Sequence, residues 1–446
     1  MKFDVAVTNS PFQRGNGNNG GPLWPIFSEL GMQITKDDGY VLYLTPATWV
    51  NGKSIYQSIF KKYNPIFLNI NECKKFFKSG FNTFSYWLVK KQNYEGNTTI
   101  VSLNSNGSVQ FEINLEKYPY LPYSWIPSEN VLRFHEKIMN LPKMKFISGP
   151  TTSFNNNRFS NKKSKIHSYP VVYSKKRIIY SSQPEFLQNT QKIIFWNTSD
   201  YIDKFNYDQS IIEDAIGRQV TCLIPPDGMD PKIIKDTFSG KFFRFCDKIY
   251  RDGAYFNGSC FPYIDISKKW TDQDLYNHFS LSPEIIEYIE SMEWNISIKP
   301  PKQIFYNHLS DHRLKRRKKT SEDFTPDPLV NEMLDKLPSD IWTDPSKTFV
   351  EPAAGNGNFV IAILRRKLDA GHPPIEAIST IYGVELMPDN VEEMKKRLFK
   401  ELISLTPKEE KIAKRIINHN IVCHNSLTWD FENWKSNNPA KAKPLF

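Results

Sequence analysis

The chain has 446 residues, 39% of them hydrophobic and 14% aromatic, which is enough apolar matter for two or three domain cores and too much for a disordered polymer. Its net charge of +10 suits a polyanionic partner or simply a soluble basic protein. Five scattered cysteines without a CxxC pair, and eight histidines without ligand spacing, argue against zinc, any other metal centre and a disulfide framework; the first residues, MKFDVAVTNSPF, lack a signal peptide's basic and apolar regions, and no run of about 18 apolar residues occurs, so a cytoplasmic protein with no membrane partner is expected.

Residues 3–8 (FDVAVT) read as a buried strand running into Asn9-Ser10-Pro11-Phe12 and a Gly/Asn-rich loop over 14–21. Helical spacing follows at 23–34, a buried strand at 40–46 and a further helix at 55–63. The segment 66–70 and the run 81–91 extend the sheet, the latter expected as an antiparallel edge element. From about 145 to 319 the alternation fades and turn residues multiply; this stretch holds 27 Lys and Arg against 19 Asp and Glu. Within it, 158–177 carries seven basic residues and no acid among aromatics, and 312–319 (HRLKRRKK) is a dense basic run; either is a solvated face or a phosphate-contacting surface. Alternation returns with a helix at 328–337, a strand entered at 348–350, a helix at 358–368, a strand at 380–385, a helix at 389–404 and a strand at 420–423. Strands alternating with helices at both ends imply a parallel α/β sheet with the middle inserted.

Two constellations carry chemistry. The first, FVEPAAGNGNF (349–359), is a strand breaking into a glycine turn that opens a helix, as a cofactor approaching the backbone requires. A lone GxG is equally a tight structural turn. About thirty residues on, the next strand ends in Glu385, placed to accept from ribose hydroxyls, and a third ends at Asn425-Ser426, where an amide could read an adenine amino group. The second is Asn9-Ser10-Pro11-Phe12. An exocyclic amine is a poor nucleophile because its lone pair is delocalised into the ring. It needs two acceptors and a stacking surface, which the Asn9 side chain, the Ser10 carbonyl and Phe12 can supply, with Pro11 holding Ser10 extended. In isolation NSPF is as readily a strand-ending turn.

Together these segments resemble the amino-methyltransferases of DNA, most closely the adenine-specific methylases of restriction-modification systems and phages, over most of 1–91 and 320–434. FVEPAAGNGNF is similar to the family's cofactor motif, which implies cofactor contacts for Glu351, Pro352, Ala353, Gly355, Asn356 and Gly357. YGVELMPDNV resembles the motif that adds Glu385 and Leu386, and NIVCHNSLTWDF the one that adds Asn425 and Ser426. Phe324-Thr325-Pro326 resembles the segment lying against the cofactor's methionine part. VAVTNSPFQ is similar to the catalytic motif, which usually reads Asn-Pro-Pro-Phe/Tyr; Ser10 departs from it, keeping the backbone acceptor with less stiffness. The resemblance also implies an aromatic stacked on a flipped base, Phe77 or alternatively Phe81. The family's cofactor motifs normally precede the catalytic motif; here the order is circularly permuted.

The reading that follows is a doubly wound, permuted S-adenosylmethionine-dependent methyltransferase fold, with a catalytic half at 1–144, a mixed α+β target-recognition domain at 145–319 and a cofactor-binding half at 320–446. The expected activity is methylation of N6 of an adenine flipped out of double-stranded DNA, in a bacterial cell or phage-infected host. Arg158, Lys162, Lys163, Lys165, Lys175, Lys176 and Arg177 are the expected DNA contacts. Methylation of cytosine N4, RNA or protein glutamine, and an inactive cofactor-bound DNA-binding protein, stay open. The oligomeric state is open too, a monomer being compatible.

Overall fold

A computed structural model describes residues 1–12, 21–52, 55–70, 72–76, 84–104, 107–122, 128–150, 157–174, 177–196, 209–217, 219–250, 256–292 and 324–436. The chain divides into two compact units. One comprises Met1–Ser102, Gln110–Lys117 and Pro300–Phe446, the other Leu103–Val109 and Tyr118–Lys299.

The first unit is built on nine strands, labelled in chain order β1 Phe3–Asn9, β2 Thr35–Pro46, β3 Asn64–Asn69, β4 Phe84–Lys90, β5 Thr98–Asn104, β6 Gly107–Ile113, β7 Phe349–Glu351, β8 Ile381–Glu385 and β9 Ile421–Cys423. They lie side by side in the order β9-β8-β7-β1-β2-β4-β3-β5-β6. The five from β9 to β2 are parallel, with Ala6 level with Val350, Asn9 with Leu44, and Glu385 with Cys423. Besides the single turn Asp340–Thr343, six helices of the described residues accompany them: α1 Trp24–Ile34, α2 Asp327–Leu334, α3 Asn358–Asp369, α4 Pro374–Ser379, α5 Pro388–Glu401 and α6 Pro407–Asn420. Val5, Val7, Leu42, Leu44 and Phe349 pack with Leu329 and Met333 of α2, Phe359 and Leu364 of α3, and Met394 and Leu398 of α5. Tyr43, between Leu42 and Leu44, turns to the opposite face, where a Cβ on Gly31 of α1 would lie 2.4 Å from its hydroxyl. Parallel strands covered on both faces read as continuous apolar runs, which is why β1 and β2 were visible as such.

Two expectations need correction. β4 is antiparallel, but it lies inside the sheet, paired with β2 on one side and β3 on the other. All of Phe84–Val89 is buried, and a strand with no solvent face does not sit at an edge. The helix expected over 55–63 is a short π-type segment, Tyr56–Phe60, where the Lys61 N–H reaches back to Tyr56 O. It stops because the chain enters β3 at Asn64-Pro65.

The second unit mixes strands and helices. One four-stranded sheet joins Ala215–Ile216, Tyr169–Ser174, Arg177–Ser181 and Phe159–Ser160; the other joins Gln209–Ile212, Lys192–Trp196, Val220–Leu223 and Ile147–Ser148. Helices Glu129–Ile138, Pro231–Ser239, Lys241–Tyr250, Asp272–His278 and Pro283–Glu290 share a core dense in rings, among them Phe134, Phe195, Phe238, Phe242, Phe243 and Phe245. The longer segment of this unit begins at Tyr118, ahead of the change in composition at 145, and Val131, Phe134 and Ile138 pack into that core.

Candidate functional site

The carboxyl ends of β7, β8, β9 and β1 lie along one edge of the first sheet. After β7 the chain turns through Pro352-Ala353-Ala354-Gly355-Asn356-Gly357 into α3. Two hydrogen bonds tie this turn to β8: Ala354 N–H donates to Val384 O at 3.0 Å, and Gly355 N–H donates to Glu385 Oε2 at 2.9 Å. Gly355 (φ +53°) lies under Phe324, whose ring is 3.1 Å from where a Cβ would stand; Gly357 (φ +89°) caps α3, and a Cβ there would meet Met394 at 2.5 Å. Thr325 and Pro326 are buried beside the same turn, with Thr325 O accepting from Asn358 Nδ2 at 2.7 Å. The structure therefore brings Phe324, Thr325, Gly355, Gly357 and Glu385 together.

Glu385 works as a bracket. Its Oε1 accepts from Met387 N–H at 2.9 Å and from the fully buried Asn390 amide at 3.4 Å, while Oε2 holds Gly355. Leu386, next in the chain, is half-buried, and its carbonyl lies 3.6 Å from Cys423 Sγ. Beyond β9, Asn425 Oδ1 accepts from Leu427 N–H at 3.1 Å, capping a short 3-10 turn, and the buried Ser426 hydroxyl donates to Pro352 O. The three loops are thus cross-linked to one another.

Glu351, the last residue of β7, is 3% exposed, and its Oε2 has no hydrogen-bond partner among the described residues. Burial, and then the nearby Glu385 carboxylate, push its carboxyl well above the usual range; the Val360 N–H at the start of α3 offsets this in part. An orphaned buried oxygen at a sheet edge is costly and asks for a partner.

At the end of β1, Asn9 is half-buried and Ser10 buried, the Ser10 hydroxyl donating to Leu44 O at 3.3 Å. Pro11 is half-buried, and the Phe12 ring stacks on Phe84 at 5.3 Å between centroids. Phe12 O accepts from Leu23 N–H at 3.0 Å. Phe77 and Phe81 lie outside the described residues, as do Lys175, Lys176 and the basic run at 312–319.

In the second unit Lys162, Lys163 and Lys165 are exposed. Arg177 is exposed over the Tyr173 ring and donates to Asn161 Oδ1 at 2.8 and 3.2 Å. Arg158 forms a two-pronged pair with Glu185, both bonds 2.7 Å, which commits its fork to the fold. Among the described residues no cluster of His, Cys, Asp or Glu has the geometry of a metal site, and no helix is long and apolar enough to cross a membrane.

Sequence reasoning missed Asn390 and Arg397. Asn390 braces Glu385, and Arg397 Nη1 donates to Asn356 O and Asn358 Oδ1, both at 2.8 Å, pinning the glycine turn from α5. Asn390 stood within YGVELMPDN, five residues past Glu385; Arg397 offered no signal on a helix rich in lysine.

No protein-family model matches the chain, and no curated protein does. Solved structures do. The Type IIL restriction-modification enzyme MmeI in complex with DNA is 9% identical at a TM-score of 0.35, the match covering 55% of this chain and 40% of that one. The DrdV–DNA complex is 9% identical at 0.33, covering 59% and 43%, and the type IIG restriction endonuclease BpuSI 8% identical at 0.24, covering 64% and 45%. The chain spans less than half the length of each of these structures. At these scores the likeness assigns no residue a role.

Proposed function

We propose that the protein is an S-adenosylmethionine-dependent DNA methyltransferase acting on N6 of adenine, with a permuted, doubly wound catalytic unit formed by the chain's two ends. The observation that carries this reading is topological. From the adjacent parallel strands β7 and β1 the chain runs outward in opposite directions, β7 to β8 and β9, β1 to β2. In such sheets ligands bind in the crevice at the carboxyl ends of the strands where the direction switches. Asn9 and Glu351 end those two strands.

The residues present fit the cofactor. Glu385 is a carboxylate fixed by three donors, and each of its oxygens has acceptor capacity for hydroxyls. The orphaned oxygen of Glu351 suits a cationic or hydrogen-donating ligand, and Phe324 and Thr325 flank the turn. When bound, the cofactor supplies an electrophilic methyl group. Asn9 Oδ1 and the Ser10 carbonyl then accept from the target amine, favouring the pyramidal nitrogen that attacks, and Phe12 offers a ring face to the base. With the cofactor held at these loops, the amine would take up the methyl group while Asn9 and Ser10 keep it oriented, and its surplus proton would leave to solvent. A buried N6 cannot reach the methyl inside a stacked duplex, so the base is flipped. Lys162, Lys163, Lys165 and Arg177 hold the phosphates in this reading.

The test is transfer of label from methyl-labelled cofactor to plasmid DNA, followed by nucleoside analysis. N6-methyl-2′-deoxyadenosine with the wild type, and at least a hundredfold lower turnover with Asn9→Ala at unchanged cofactor affinity, is expected. N4-methylcytosine, or label in RNA or protein alone, would replace the substrate; full turnover by Asn9→Ala would overturn the site.

A further inference from the structure

The segment Asn161–Ser168, between the strands Phe159–Ser160 and Tyr169–Ser174, presents an apolar tip among cations. Ile166 is 71% exposed, the largest value among the second unit's described large apolar side chains. Lys162, Lys163 and Lys165 precede it, all exposed, and no acidic residue occurs anywhere in 158–177. The loop is held in one shape. Lys162 N–H donates to Ser160 Oγ at 3.1 Å, Ser164 N–H to His167 O at 2.9 Å, and His167 N–H to Ser164 Oγ at 3.0 Å. Its base is closed by His167 Nε2, 2.9 Å from Asn157 O, and by the Arg177 fork on Asn161.

We propose that Ile166 is a wedge that enters the base stack of a DNA duplex while the lysines beside it grip the flanking phosphates. The inference rests on the reading of duplex DNA as partner, and adds to it the element that opens the stack. A branched apolar side chain gains free energy when binding buries it, and one carried on a loop whose backbone is already tied down costs less ordering when it inserts. Apolar wedges flanked by cations part base steps in this way. A membrane is disfavoured as the occupant because one isoleucine is a marginal anchor.

A recognition sequence is not needed for the test, because wedge insertion unwinds any duplex. Closed-circular plasmid is relaxed by a type I topoisomerase in the presence of wild type, Ile166→Ser or Ile403→Ser, and binding to the same plasmid is measured at several salt concentrations. Ile403, 74% exposed in the first unit, is the control for removing an exposed isoleucine. Wild type and Ile403→Ser are expected to shift the topoisomers. Ile166→Ser, at saturating concentration, should not, with affinity about three- to tenfold weaker and the salt slope unchanged because the lysines remain. A full topoisomer shift by Ile166→Ser overturns the wedge and leaves the DNA reading standing. Failure of the wild type to bind plasmid overturns both. Wild-type binding to phosphatidylserine vesicles that Ile166→Ser loses, with plasmid behaviour the same in the two proteins, replaces the duplex by a membrane surface.

Discussion

Replacing Glu385 by glutamine tests the candidate cofactor site most directly, because the structure uses both of its oxygens. Oε2 accepts from Gly355 N–H and Oε1 from Met387 N–H, each at 2.9 Å. A carboxamide has one acceptor oxygen, so whichever way it turns, an NH₂ group faces a backbone N–H. At a residue only 9% exposed, water replaces the lost acceptor poorly. Losing one such bond to a charged acceptor costs about 1.5–3 kcal/mol. Removal of the Glu385 charge also relieves Glu351, which returns a fraction of that loss. A net destabilisation of the first unit by about 2 kcal/mol is expected, read as an earlier thermal transition in calorimetry. If the carboxylate also accepts from ribose hydroxyls, S-adenosylmethionine affinity should fall about 10- to 100-fold in titration calorimetry. Reduced stability with unchanged affinity would make Glu385 a strut and remove it from the site. If both stay unchanged, the hydrogen-bond geometry itself is wrong.

Glu351→Gln mimics the neutral carboxyl. A folded pKa raised above the unfolded value means that Glu351's contribution is fully present below the unfolded value and is lost as pH rises through the folded one, so the variant's stability advantage in urea midpoints should widen from pH 5 to pH 8; a constant difference refutes the raised pKa. His135, with its ring nitrogens 2.6 Å from Tyr250 Oη and 2.9 Å from Tyr120 O, is pushed down to about 4 from 6.5, chiefly by burial. The stability it contributes is present above 6.5 and lost as pH falls towards 4, amounting to about 3 kcal/mol because each tenfold weakening of proton affinity is worth about 1.4 kcal/mol; denaturant unfolding of the second unit that is flat across this window contradicts it. Lys163→Gln should flatten the salt dependence of DNA binding by about one unit, whereas Arg158→Gln, which breaks the pair with Glu185, should lower stability more than it changes that slope; the reverse ranking in binding titrations would return Arg158 to the phosphate surface.

What was legible in the sequence was whatever depends on short-range pattern. β1, β7, β8 and the 40–46 part of β2 stood out because parallel strands buried on both faces are apolar runs, while β9, at the sheet's edge with Cys423 exposed, stood out only by its place after a helix; Asn9, Glu351, Glu385 and, two residues past β9, Asn425 marked the ends. The interior place of β4 was written in its six consecutive buried residues, FSYWLV, but strand order is a long-range property that a run of that kind does not specify. In the second unit, the helix KFFRFCDKIY (241–250) buries Phe242, Phe243, Phe245, Cys246, Ile249 and Tyr250 at helical spacing, a local pattern as open to reading as those strands, whereas the aromatic core it joins is set at long range. Arg397 reaches the glycine turn only once α5 is folded against it, from 39 and 41 residues away.

The glycines that drew attention first have structural reasons of their own. Gly355 has a positive φ with Phe324 close against it, and Gly357 a positive φ with Met394 closer still, so the backbone conformation favours glycine at both whether or not a ligand approaches. Ser10 is similar: its hydroxyl bond to Leu44 O anchors the position across to β2, which replaces by hydrogen bonding some of the stiffness that a second proline would bring. Packing does not account for Glu351. A fold gains nothing from an almost completely buried carboxyl with one oxygen unpartnered beside a second carboxylate, and a glutamine or an apolar residue there would cost less. On the proposed reading, a ligand whose hydrogen-bond donors or positive charge meet Glu351 at the carboxyl edge of β7, where the sheet changes direction, would relieve that cost.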